Sequence, residues 1–160
     1  MEQPFTHVDS TGKLRMVDVT PKRPTKRRAY AGCVVRTVAD LAALGPSANG
    51  LDPVHAARLA GIQAAKQTAN LIPLCHPLDL NEVQVEVIAN AGRIEISATV
   101  AATHRTGVEM EALTACAFAA LSIVSSLVDV DPNAQIDDLV LLRKTGGKSG
   151  DWGRLVDAPS

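Results

Sequence analysis

An α+β domain, with an antiparallel sheet carrying two main helices on one face, is the fold class that three observations predict. Glu82-Val83-Gln84-Val85-Glu86-Val87 and Arg93-Ile94-Glu95-Ile96-Ser97-Ala98-Thr99-Val100 alternate apolar and polar residues at the period of half-buried strands. Asn90-Ala91-Gly92 between them reads as a hairpin turn. On each side of that hairpin lies a long Ala-rich run that opens with a helix-start signal. With 160 residues, 46% of them apolar and 21% charged, the chain can fill one core and solvate one surface, so positions 1–160 are expected to form a single domain.

Residues 1–28 are mostly polar and turn basic at Pro21-Lys22-Arg23-Pro24 and Lys26-Arg27-Arg28, which reads as an N-terminal arm ending in a solvated charge run. From Tyr30 to Val38 the β-branched content rises and predicts the first strand, which Gly32 weakens slightly. A short helical piece is expected around 38–43, followed by a small-residue loop to about 51. Asp52 then supplies an N-cap and Pro53 a first helical residue, so a helix should run to about Asn70. After the hairpin, Thr106-Gly107-Val108-Glu109 matches a capping box. The run that follows, to about Val128, is apolar on nearly every side, as expected of a helix buried in a domain or an oligomer. Pro132-Asn133 breaks the chain, and Ile136 to Leu142 reads as the last strand. The order β, α, β, β, α, β is the ferredoxin-like arrangement. The tail, residues 145–160, looks too glycine-rich for regular structure and should lie as a loop over the domain or a neighbour.

A formal net charge of −1 argues against general capture of nucleic acid, and 2% aromatic content leaves little for base stacking. No run of 18 apolar residues is present, and Met1-Glu2-Gln3-Pro4 is not a basic leader, so no membrane partner and a cytoplasmic location are expected. Cys33, Cys75 and Cys116 form no CxxC pair, which argues against a disulfide framework. His7, His55, His76 and His104 show no HxxxH spacing and the cysteines offer no ligand pair, so no metal is expected, and no motif marks another cofactor.

Chemically versatile residues crowd into two phrases, Ile72-Pro73-Leu74-Cys75-His76-Pro77-Leu78 and Arg105 through Leu113. Pro73 and Pro77 stiffen a loop that presents His76 for acid-base work or phosphate contact; the alternative is a histidine tied into a tight turn. Cys75 reads as a small half-buried residue rather than a nucleophile. Glu109 and Glu111 fall in the first turn of a helix, where the dipole favours carboxylates. Residues two apart on a helix diverge by roughly 200°, so both face one pocket only if Glu109 sits at a frayed edge or two subunits share the site. An apolar setting beside Met110 and Leu113 would raise the Glu111 pKa, as a proton-transfer group requires. Gly146-Gly147-Lys148-Ser149 fails as a P-loop, because Leu142 stands where that motif needs glycine and no helix follows. Lys144 and Lys148 can still add charge to an anion site, and Lys66 can complement its own helix dipole. Together these groups suit an anionic, phosphate-bearing substrate and proton transfer.

Met16-Val17-Asp18-Val19, Ala60 through Lys66, Leu71 through Leu78, Arg105 through Thr114 and Lys144 through Asp151 together resemble the molybdenum cofactor biosynthesis protein C family, the cyclic pyranopterin monophosphate synthases. The resemblance implies a lyase that converts 3′,8-cyclo-7,8-dihydroguanosine 5′-triphosphate, a cyclic nucleotide-derived triphosphate, into cyclic pyranopterin monophosphate with release of diphosphate. It also implies no metal in that step, a ferredoxin-like subunit, and a homohexamer, a trimer of dimers, with active sites at subunit interfaces. Carried over, Leu74, Cys75, His76, Met110 and Glu111 line the substrate pocket. Asp18, His76, Glu109, Glu111 and Lys144 fall at positions taken as catalytic; Lys66 and Lys148 are added, from their charge and not from the resemblance, as further substrate-binding groups.

The chain departs from the family pattern at three places. Ser125 stands where the family has a catalytic aspartate, Val128 where it has a catalytic lysine, and Gly50 where a second lysine precedes the first long helix. Serine is no carboxylate base at neutral pH, and valine neither donates a proton nor pairs with phosphate. Three functions therefore stay open: a synthase using substitute groups such as Lys66, Lys144 or Lys148, or working at a reduced rate; a catalytically silent homologue that binds a pterin or nucleotide or serves as a partner subunit; and an altered reaction on a related purine-derived substrate.

Overall fold

The structure, a computed structural model, describes residues 7–46, 50 and 52–155; the expectations for Met1 to Pro4, for Leu51 and for the last five residues of the tail lie outside it. Its main elements are β1 (Thr25–Arg36), α1 (Pro53–Lys66), α2 (Thr68–Leu71), β2 (Glu82–Asn90), β3 (Arg93–His104), α3 (Glu109–Leu127), β4 (Gln135–Thr145) and β5 (Trp152–Gly153). The sheet is antiparallel in the order β2-β3-β1-β4-β5, which is the ferredoxin-like order with one short strand added at an edge.

The period of the strands places the core. Ala29, Ala31, Cys33 and Val35 of β1 and Ile94, Ile96, Ala98, Val100 and Ala102 of β3 are buried together with Ala112, Ala115, Cys116, Ala119, Ala120 and Ile123 of α3. Small residues let these layers approach closely. A methyl group on Gly61 of α1 would lie 2.8 Å from the Ala115 carbonyl oxygen and 3.1 Å from Val85 Cγ2, so α1 is seated on α3 and β2 at a distance only glycine allows. By length and composition α3 is apolar enough to cross a membrane, yet here it is a core helix packed on the sheet.

Several elements differ from expectation. β1 begins at Thr25, so Lys26, Arg27 and Arg28 belong to the sheet and not to a solvated arm. The sheet face opposite the helices is open to water, and there Arg28 reaches across to Glu82 at 2.6 Å. Only a single 3-10 turn, Leu41–Ala43, follows β1. Asp52 does cap α1, accepting from the Val54 and His55 amides at 3.0 and 3.1 Å, but the helix stops at Lys66, and Gln67 separates it from α2. β4 is longer than expected and carries two bulges, because Tyr30 pairs Arg143 while Ala31 pairs Leu141, and Gly32 pairs Val140 while Val34 pairs Asp137. In the tail, Trp152 and Gly153 pair with Lys144 and Arg143, so part of it is regular after all. Gly146 lies tight against the Lys26 carbonyl with φ +85°, a conformation suited to glycine.

Asp131 ties the end of α3 to the end of β1. One carboxylate oxygen accepts from the Thr37 hydroxyl at 2.6 Å and the Val38 amide at 2.9 Å, and the other from the Asn133 amide at 3.1 Å. These bonds, the Thr37 hydroxyl first, hold its carboxyl below the ordinary range.

Candidate active site

The loop after α2 is a β-turn of unusual composition. The Cys75 amide donates to the Ile72 carbonyl at 3.3 Å, with Pro73 and Leu74 at the centre. Proline presets the first central position, and Leu74 takes φ +68° at the second, where glycine or asparagine is the usual residue. Holding a leucine there costs roughly 1–3 kcal/mol. Its consequence is direction, since Leu74, Cys75 and His76 all line one cavity of about 130 Å³.

The opposite wall is the start of α3. The expected capping box is not formed: Val108 is the N-cap, with no side-chain cap, and Glu109 is the first helical residue. Starting there puts Glu109 two positions too early to act as the box's reciprocal partner. Its carboxylate instead folds over Gly107, where a methyl group would collide with it, and lies 3.8 Å from Lys144 Nζ. Lys144 is brought by β4, paired with Ala29 of β1, whose side chain is buried beneath the helices. Its ammonium also donates to the Ser149 hydroxyl of the tail.

Glu111 is 4% exposed. Burial pushes its carboxyl up to about 7, and the negative charge of Glu109 adds to the rise. Burial, and then the Glu111 charge, also raise the Cys75 thiol, so Cys75 is a protonated lining residue and not a ready nucleophile. Both glutamates line the cavity although helix geometry sets them on divergent faces, because Glu109 is the first residue of the helix and its side chain folds back over Gly107. Met110 completes that wall.

Other predicted groups lie elsewhere in this chain. Asp18 is exposed in the segment before β1, accepting from the Thr20 amide at 2.9 Å, with its carboxyl held low by the Thr20 hydroxyl and amide. Lys66 lines a separate hollow of about 460 Å³ with Ile62, Asp79 and Glu82; Leu78 borders both hollows. Lys148 is exposed on the tail. Gly50 is exposed with φ +79°. Ser125 and Val128 are exposed near the far end of α3, 14 and 17 residues beyond Glu111, which is about 21 to 26 Å along the helix axis.

Four lining residues were not singled out from the sequence as site residues: His7, Leu78, Thr106 and Gly107. Thr106 and Gly107 stand inside one of the two dense phrases but carry a helix-start signal that masks their place in the wall. His7 has no local signal, since only tertiary folding brings it to Cys75. Among the described residues no group of three or more His, Cys, Asp or Glu side chains is placed to hold a metal ion. The cavity thus offers a proton-exchanging carboxyl at neutral pH, the imidazoles of His7 and His76 and, through Lys144, a cation beside Glu109.

Residues 16–147 match the model of the MoaC family. Cyclic pyranopterin monophosphate synthase 2 of Mycobacterium bovis is 50% identical over 94% of this chain and 91% of its own length. The cyclic pyranopterin monophosphate synthase of Streptomyces coelicolor is 47% identical over 94% of this chain and 89% of its own. That of Thermomicrobium roseum is 49% identical over 96% and 95%.

Proposed function

Since the chain belongs to the MoaC family, we propose that it acts in molybdenum cofactor biosynthesis as a cytoplasmic lyase, a cyclic pyranopterin monophosphate synthase. Its substrate is the cyclised dihydroguanosine triphosphate and its second product is diphosphate. The single observation that carries this reading is the buried Glu111 carboxyl, raised to about 7, in one cavity with His76 and Cys75. A group that exchanges a proton near neutral pH is what the ring rearrangement needs. Glu111 and His76 move protons, while Leu74, Cys75 and Met110 shape the pocket. Lys144 faces the phosphates and holds Glu109 in place, and Lys148 extends that charge along the tail. Asp18 and Lys66 act at the margins of the site.

We place the complete site at an interface of a homohexamer, a trimer of dimers. A cavity of about 130 Å³ is smaller than the roughly 300–1,000 Å³ of ordinary ligand pockets, and positions 125 and 128 lie too far from it within one chain. Both facts suit a second chain completing the pocket. Ser125 and Val128 then weaken that contributed half, and a slow or silent chain that binds pterin is the second reading they favour.

Incubating the purified protein with the cyclised dihydroguanosine triphosphate, and measuring pyranopterin monophosphate and diphosphate, tests the proposal. Turnover establishes it; binding without turnover supports the second reading; neither binding nor turnover refutes both. If turnover is slow, Ser125→Asp with Val128→Lys should raise it by about 100-fold or more.

A further inference from the structure

We propose that His7 is a ligand-contacting residue of this cavity, carried there by an N-terminal hairpin, and that its Nε2 accepts a hydrogen bond from the heterocycle or sugar of the substrate. The inference rests on the substrate reading above. His7 lines the same cavity as Cys75, His76, Glu109 and Glu111 although it lies far from them in sequence.

The hairpin that holds His7 closes on itself. Val8 bridges Leu14, and the Arg15 amide donates to the His7 carbonyl at 2.9 Å. The Asp9 carboxylate fills the turn by accepting from the Thr11 amide and hydroxyl and from the Lys13 amide, at 2.7 to 3.0 Å. Gly12 takes φ +83° as such a turn requires. His7 is exposed, so it is not there to fill a core.

The ring is also oriented. Nδ1 lies 3.4 Å from the Arg15 carbonyl oxygen. A carbonyl only accepts, so in the neutral ring the contact selects the tautomer with its hydrogen on Nδ1 and leaves Nε2 as an acceptor. An acceptor takes a hydroxyl or a ring N–H, which the cyclised dihydroguanosine carries, and not a phosphate oxygen. His7 therefore reads the heterocycle end of the ligand, while Lys144 faces the phosphate end.

Calorimetric titration of the full chain and its His7→Ala, His7→Gln and His7→Asn variants, with the cyclised dihydroguanosine triphosphate and separately with inorganic diphosphate, tests this. His7→Ala should weaken binding of the triphosphate by about tenfold and leave diphosphate binding unchanged. Glutamine, whose amide oxygen can occupy the place of Nε2, should recover most of the loss. Asparagine, which reaches only the place of Nδ1 and keeps the Arg15 contact, should not. An alanine variant within about twofold of wild type overturns the assignment, as does rescue by asparagine equal to that by glutamine, which would mean that His7 only holds the hairpin. A parallel loss of diphosphate affinity also overturns it, because the contact would then be to phosphate. Wild-type protein that fails to bind the triphosphate removes the substrate reading itself, whereas normal wild-type binding with unaffected variants removes only the role of His7.

Discussion

Glu111 carries a proton in the folded chain at pH values where an unfolded glutamate has lost it. Between about 4.5 and about 7 the folded state therefore binds more protons than the unfolded one, and stability must fall as pH rises through that window, then level off. The size is on the order of 3 kcal/mol. Denaturant midpoints should drop from about pH 5 to about pH 8, and Glu111→Gln should flatten the profile while lowering turnover by about 100-fold or more; a wild-type profile flat over that range would contradict the burial. Asp131 has the opposite sign, its carboxyl being depressed, so its contribution is present above 3.8 and lost as pH falls below that value. Leu74 gives a second expectation. Leu74→Gly should leave stability unchanged or raise it by about 1 kcal/mol, by relieving a positive φ, and should weaken ligand binding by removing a wall of the cavity. At this scale the dense phrases around His76 and Glu111 were legible because short-range sequence places those residues. The place of His7 was not, since nothing near it in the chain encodes the loop it meets.

Among the elements, the seam between α1 and α3 is the most exacting contact. Alanine at position 61 would improve helix propensity by about 1 kcal/mol, yet its methyl would stand 2.8 Å from a backbone carbonyl that cannot swing away. Overpacking should win, and Gly61→Ala should lose roughly 1–3 kcal/mol, a fall of several degrees in Tm at about 2–4 °C per kcal/mol. A Tm at or above wild type, followed by circular dichroism, would show that the seam can relax. The hairpin of β2 and β3 was readable because Val85 and Val87 of β2 and Ile94, Ile96, Ala98 and Val100 of β3 are buried at alternate positions. The start of β1 was hidden because Lys26 and Arg28 fall on the open face of the sheet, where charge is no sign of a loop. The bulges of β4 spoil its alternation, and the stop at Gln67 carries no glycine or proline to announce it. The tail's pairing at Trp152 was masked by the glycines around it.

Across the whole molecule, the feature that most needs company is the outward face of α3. Phe118, Leu121 and Val128 recur there at helical spacing, and Leu121 and Val128 are 51% and 55% exposed. Single apolar side chains on a surface are ordinary, but an aligned row marks a contact. Ser125 lies in the same row, so whatever covers the row also covers Ser125 and Val128, two of the three positions that depart from the family pattern. If another copy of this chain covers it, a charge placed in the row must be buried unpaired on assembly. Leu121→Glu should then shift the sedimentation profile from the proposed hexamer toward smaller species while the circular dichroism spectrum stays the same, because the side chain is not part of the core cluster. Turnover should fall with the loss of assembly, since each cavity would lose its completing chain. Unchanged sedimentation would place the interface elsewhere and leave Ser125 and Val128 as surface residues with no part in the pocket.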